Sequence, residues 1–233
     1  MNVMAGKNPE TDFDGIARAL RSGGRVALLL RHGERPKIDP EDPTFGDRLP
    51  LTPEGERTAL LFGKTLAEFA PLATFCSSPL ARTRITASLV AKGMGVPDAP
   101  IEIDGRLGNE SFYYEDASVV LQVFNPPENF FPASFEYMET GKMRGFKPLA
   151  ESSDALEDWI DGHFATRLLI VATHDLYIAS FLASRGAYSD RSLATWPRFL
   201  DAGAIFDPPG AEGRKGRKYA ILRSRLSDGI NGK

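Results

Sequence analysis

Three short stretches hold residues whose types and grouping suit chemistry on an anion. Arg31, His32 and Arg35 fall in "RHGER" at 31–35, Arg82 and Arg84 in "SSPLARTR" at 77–84, and His174 and Asp175 in "THD" at 173–175. Several fixed guanidinium charges, each with a fork of N–H donors, match the oxygens of a phosphate. Two of the chain's three histidines lie here as well, and a phosphate clamp alone would not need them. A neutral imidazole can attack phosphorus and leave later, splitting one hard displacement into two easier ones. Nearby arginines disfavour its protonation and offset a dianionic substrate. The departing alkoxide then needs a proton, from Asp175 or another carboxylic acid whose pKa rises while substrate is bound.

These residues act together only if the chain brings the three stretches to one rim. "RVALLL" and "RLLIVATHD" are continuous apolar runs of strand length, as expected for strands covered on both faces, and "ATFCSS" reads as a third strand. Each is followed by a helical pattern. "LTPEGERTALLFGKTLAEFA" has Thr52 as N-cap, Pro53 at the first helical position and Leu60, Gly63, Leu66, Ala67 and Ala70 along one side. "PLARTRITASLVAKGMG" opens at Pro79 and spaces Leu80, Thr83, Ala87 and Val90 as a helix does, and its N-terminus adds oriented N–H groups to the rim. "FDGIARALRSGG" is a helix with Ile16, Ala19 and Leu20 inward, and Ser152 or Ser153 caps the helix of "SSDALEDWIDGHF". "PIEID", "GAIFD" and "KYAILRSR" supply further strands. The repeated strand and helix order predicts an α/β fold with a mostly parallel central sheet flanked by helices. Ligands in such sheets collect beyond the carboxyl ends of the strands, where the three charged stretches fall.

"RHGER", "SSPLARTRITA" and "ATHD", in this order, resemble the histidine phosphatase superfamily, which contains the phosphoglycerate mutases, histidine acid phosphatases and phytases. The resemblance spans about Arg25 to Gly186 and implies the phosphoglycerate mutase-like three-layer fold. It implies that His32 is the nucleophile that becomes phosphohistidine, with Arg31, Arg82 and His174 on the transferring phosphoryl group. Arg35 matches the second arginine of the acid-phosphatase branch, although Pro36 follows it without the intervening residue usual there. For the proton donor, "ATHDLYIASFL" resembles the acid-phosphatase branch and favours Asp175; the mutase-like branch uses a glutamate after the third strand, and "RLGNES" puts Glu110 in a similar place.

The function expected is a metal-independent phosphomonoester hydrolase. A mutase-like phosphotransferase and a phosphate-recognition module without turnover are the alternatives. No cofactor is expected: close histidine pairs at metal-ligand spacing and glycine-rich nucleotide loops are both missing from the sequence, and arginines beside His32 oppose a cation. The net charge of −3 gives no general attraction to nucleic acid or anionic membranes, so a small phosphorylated substrate is the expected partner. The start of the chain lacks the pattern of a signal peptide and the longest apolar run is too short for a bilayer, which makes the cytoplasm the expected location. The 233 residues are read as one domain. From about 105 to 150 the periodicity breaks into aromatic, proline and glycine clusters, an irregular insertion or cap in which Tyr113, Tyr114, Phe130 and Phe131 are expected to pack. The lone Cys76 is read as buried filler, and His163 as an ordinary surface histidine away from the rim.

Overall fold

The structure is a computed structural model that describes residues 8–39, 42, 44 and 46–226. Its order is β1 (Glu10–Thr11), α1 (Phe13–Arg21), β2 (Arg25–Arg31), α2 (Pro53–Thr65), β3 (Ala73–Ser77), α3 (Ala81–Gly93), β4 (Ile101–Ile103), α4 (Ala117–Phe124), α5 (Phe130–Thr140), α6 (Leu149–Gly162), β5 (Leu168–Thr173), α7 (Asp175–Ser184), β6 (Ala202–Asp207) and β7 (Lys218–Leu222). The strands form one sheet in the order β1-β7-β6-β2-β5-β3-β4. Neighbours pair in parallel except around β6, which runs antiparallel to both β2 and β7. The sheet is thus mostly parallel, as the sequence predicts, with a mixed half. No helix among the described residues is long and apolar enough to cross a membrane.

Successive side chains of a strand point to opposite faces, and the core divides accordingly. Val26, Leu28 and Leu30 of β2 join Leu168 and Ile170 of β5 beneath α1, α2 and α3. Ala27 and Leu29 join Leu169 and Val171 on the other face, with α6, α7 and the middle segment. Covering both faces is what permits the unbroken apolar runs. Each fully buried Leu, Ile or Val contributes about 1.5–3 kcal/mol, so β2 and β5, which lead into two of the charged stretches, are firmly held.

Helix ends obey their capping chemistry in part. The Thr52 side chain accepts the Gly55 N–H at 3.0 Å, with Pro53 at the first position, as expected. The helix stops at Thr65, however, and its buried face is Thr58, Ala59, Phe62 and Gly63; the residues up to Leu72 form a tighter helical turn interrupted by Pro71. α2 and α3 touch through glycines: a Cβ on Gly63 would lie 2.1 Å from the Val90 carbonyl oxygen, and one on Gly93 would lie 2.2 Å from that of Leu60. In α1, Ala17 rather than Ala19 joins Ile16 and Leu20 inside. α6 begins four residues before Ser153, so Ser152 and Ser153 are buried helix-interior residues, not caps.

The middle segment is more regular than its composition suggested. It contains α4 and α5, and Tyr113, Tyr137, Phe124 and Phe146 bury themselves in the same cluster as α7. Asp116 caps α4 by accepting the Ser118 and Val119 N–H groups. Cys76 is buried, and burial, with Glu102 and Asp104 nearby, pushes its thiol up to about 12.

Candidate active site

Register puts the charged stretches side by side. β5 lies between β2 and β3, pairing Arg31 with Thr173 and Ser77 with Ala172. Past the ladder, the His32 N–H donates to the Thr173 carbonyl at 3.2 Å and the Ser78 N–H to the Ala172 carbonyl at 3.1 Å. His32 and His174 therefore leave adjacent strands at the same level, their ring centroids 5.6 Å apart.

The turn after His32 is shaped by Gly33, whose absent Cβ would meet the Gly55 carbonyl oxygen at 2.8 Å. Its N–H donates to Thr86 Oγ1 on α3 at 2.9 Å. Glu34 faces away from any reaction: its carboxylate accepts the Thr52 hydroxyl at 2.8 Å, and its backbone oxygen accepts the Thr52 N–H at 2.9 Å. The turn is thereby fastened to α2 and α3 at once.

His32 is 3% exposed, with Nδ1 2.8 Å from the Gly33 carbonyl oxygen. A carbonyl can only accept, so Nδ1 carries the proton and Nε2 keeps its lone pair. Burial above all, then His174, Arg31 and Arg82, hold the ring well below its ordinary pKa, against the opposing bond to Gly33. His174 is lowered to about 3 by burial and by Arg82, partly countered by Asp175. Its Nε2 lies 3.2 Å from Ser78 Oγ.

Arg31, Arg35 and Arg82 surround the pair. Arg31 lies over the Phe199 ring at 4.3 Å, donates to the Pro197 carbonyl at 2.6 Å and reaches Asp175 at 3.0 Å. Arg82 donates to the Gly46 carbonyl at 2.8 Å and is lowered to about 10 by burial and by Arg35. Arg35 is lowered by burial and by Arg31. The Nε–H groups of all three are buried without a hydrogen-bond partner. Crowded cations with unused donors make this rim a place where an oxyanion would be stabilised.

Asp175 joins this group, while the Glu110 carboxylate is turned toward Gly105 and Arg84 is exposed on α3. Asp175 accepts from Arg31 and from Trp196 Nε1 at 2.9 Å, and its carboxyl sits below the usual range because Arg31, Trp196 and His174 outweigh its burial. Glu110 is exposed and its carboxylate folds back on Gly105, where a Cβ would lie 2.5 Å from Oε2. Arg84 is on the outer face of α3, beside Ile85 and Ile101. α3 starts at Ala81, two residues later than the sequence suggested. His163 stays away from the rim, stacked on Trp159 at 3.9 Å and 3.1 Å from Glu102.

The segment from Trp196 to Asp201 is a wall that sequence reasoning missed. Trp196 meets Asp175, the Pro197 carbonyl meets Arg31, and Phe199 lies 5.6 Å from the His32 ring. Leu200 holds φ +63 while fully buried, a strained conformation for a branched residue. It persists because Asp201 is fixed by the Arg198 N–H at 3.0 Å, the Ser224 N–H at 3.1 Å and Arg223 at 2.8 Å. Two aromatics flanking a proline in the connection between α7 and β6, "WPRF", were the visible signal.

Comparison with known proteins agrees with this fold. No curated protein matches the sequence significantly. A phosphoglycerate mutase from Bacillus anthracis shares the fold with a TM-score of 0.55 at 14% identity, over 86% of this chain and 93% of that one. A mycobacterial glucosyl-3-phosphoglycerate phosphatase does so with a TM-score of 0.55 at 14% identity, over 84% of this chain and 96% of the other. The family model for the histidine phosphatase superfamily (branch 1) matches residues 27–199, from within β2 through the Trp196 wall, and the chain belongs to that superfamily.

Proposed function

We propose that this protein is a metal-independent phosphomonoesterase that works through a phosphohistidine at His32 Nε2. The observation that carries the reading is the 2.8 Å contact between His32 Nδ1 and the Gly33 carbonyl, beside Arg31 and Arg82. It leaves the reactive lone pair on the nitrogen that is not tied to the backbone, in an imidazole held neutral.

The Nε–H groups of Arg31, Arg35 and Arg82 supply donors for the phosphoryl oxygens, with His174 alongside. As Nε2 forms its bond to phosphorus, the bond to the ester oxygen breaks and that oxygen takes a proton from the donor acid. Water then attacks phosphorus, gives its proton to the same carboxylate, and the N–P bond breaks to release phosphate.

Asp175 is the donor in this reading. It already contacts Arg31, whereas Glu110 is exposed and turned to Gly105. Arg31 and Trp196 keep Asp175 ionised on its own, but a bound phosphate shares Arg31 and sets negative charge beside the carboxylate, the condition that raises a carboxyl pKa.

The test is hydrolysis of 4-nitrophenyl phosphate in the presence of a chelator. Wild type is expected to turn over and His32→Ala to lose at least about a thousandfold in kcat; equal rates would reject the phosphohistidine. Asp175→Asn and Glu110→Gln, compared on good and poor leaving groups, assign the acid, because only loss of the true donor hurts poor leaving groups selectively.

A further inference from the structure

Trp196 is a neutral side chain hydrogen-bonded to Asp175. Its indole Nε1 donates to Asp175 Oδ2 at 2.9 Å, the same oxygen that Arg31 Nη2 approaches at 3.0 Å, and Oδ1 accepts the Leu176 N–H at 3.0 Å. The indole is nearly buried and is gripped edge-on by three aromatics of α5. Phe130, Phe131 and Phe135 stand 5.8, 5.2 and 5.6 Å from it, ring centre to ring centre, at interplanar angles of 75°, 87° and 78°. Such a cage fixes the ring and with it the direction of the N–H.

We propose that Trp196 is a positioning residue that sets when Asp175 carries its proton, and that α5 of the middle segment holds Trp196 in that place. The inference rests on the phosphatase reading above and adds to it a link between the aromatic segment and the acid. A hydrogen bond donated to the ionised carboxylate favours that form over the protonated one. The other groups facing Asp175 are Arg31 at the end of β2, Arg35 in the turn beyond it, Arg82 on α3, His174 next to it and Tyr114 from the middle segment. Trp196 differs from the arginines because replacing it leaves the charge of the site unchanged. The middle segment then does more than cover the sheet: it governs the proton inventory of the site through one indole.

The experiment compares the pH dependence of kcat, which reports the groups of the substrate complex, for the full chain, Trp196→Phe, Phe135→Leu and Asp175→Asn. Phenyl phosphate serves as the poor leaving group and 4-nitrophenyl phosphate as the good one. Trp196→Phe keeps an aromatic ring in the cage and removes the donor. The expected result is an alkaline limb for phenyl phosphate moved up by about one pH unit, with no matching movement for 4-nitrophenyl phosphate. Phe135→Leu, which loosens the cage alone, is expected to move the limb the same way by less, and it carries the test if thermal melting shows Trp196→Phe to be unfolded. Parallel losses on both substrates with the limb in place would overturn the proposal, as would no change. If Asp175→Asn selectively loses phenyl phosphate while neither Trp196→Phe nor Phe135→Leu moves the limb, this inference fails and the phosphatase reading stands. If Asp175→Asn does not discriminate between the substrates, the donor assignment falls and this inference with it.

Discussion

Replacing Arg217 by methionine should destabilise the protein without touching the chemistry. The Arg217 guanidinium, 1% exposed, donates to Asp207 at 2.6 and 3.0 Å, to Glu157 at 2.9 Å and to Asp161 at 2.6 Å. It thereby pins α6 to the β6–β7 hairpin. Removing one partner of a buried ionic network costs about 3–5 kcal/mol, because the charges left behind stay desolvated. Arg25 still reaches Asp207 at 2.7 Å and Arg185 still reaches Glu157 at 2.8 Å, so the expected loss is at the lower end, about 3 kcal/mol. At about 2–4 °C per kcal/mol for a chain of this size, Tm should fall by about 6–12 °C. Arg214→Met is the control: that side chain is far more exposed, as are its partners Asp158 and Asp161, and its third partner, the buried Glu157 at 3.3 Å, keeps Arg185 and Arg217, so the loss should stay near 1 kcal/mol. Thermal and urea melts of both variants measure this. Asp207 pairs with Arg25 at the end of β2 opposite the site, about 20 Å away at 3.3 Å per residue, so kcat of the folded fraction should be retained. A fall in Tm of less than about 2 °C, or one equal to that of Arg214→Met, would show that the Arg217 network does not hold α6 to the hairpin.

Both site histidines have folded-state pKa values below the ordinary 6.5, so the stability they permit is present above that pH and is lost as pH falls towards the folded values. His174→Asn should flatten the dependence of unfolding free energy on pH between 6.5 and 4.5, by up to about 1.4 kcal/mol per pH unit; an unchanged slope in urea titrations would count against it. Vanadate or phosphate should raise Tm of the wild type, and Arg82→Ala should weaken the affinity measured by calorimetry by tenfold or more. Cys76, buried with its thiol pushed up to about 12, should resist a thiol-reactive disulfide reagent until the protein unfolds.

What could be read directly from residue types was whatever depends on chemistry local in sequence. The apolar runs of β2 and β5 announce strands buried on both faces, and the charged residues that end them mark the rim, because a side chain past the last buried position must meet solvent or ligand. Thr52 and Pro53 marked a helix start for the same local reason. Ser152 and Ser153 have the right types for caps, yet α6 begins earlier because Leu149 and Leu156 bury themselves against the sheet and carry the helix back to Pro148. Glu110 and Asp175 are both suitable acids by type, and residue type alone does not show that Asp175 meets Arg31 while the Glu110 carboxylate turns to Gly105. The Trp196 wall was hidden because it acts through a backbone carbonyl at Pro197, a positive φ at Leu200 and an indole whose acceptor lies 21 residues away. None of these leaves a periodic signature. The aromatics of the middle segment were expected to pack, and they do, but the helices they build and the indole they hold depend on contacts with α7 and the wall.

The proposed chemistry passes through a covalent bond to His32. Rapid mixing of enzyme with a radiolabelled aryl phosphate, quenching under alkaline denaturing conditions and mapping of the labelled peptide tests it most directly. The expected product is a phosphoryl group that is stable to base and labile to acid, located on His32, formed in the time of one turnover and missing from His32→Ala. Label on any other residue, or full turnover by His32→Ala, would contradict it.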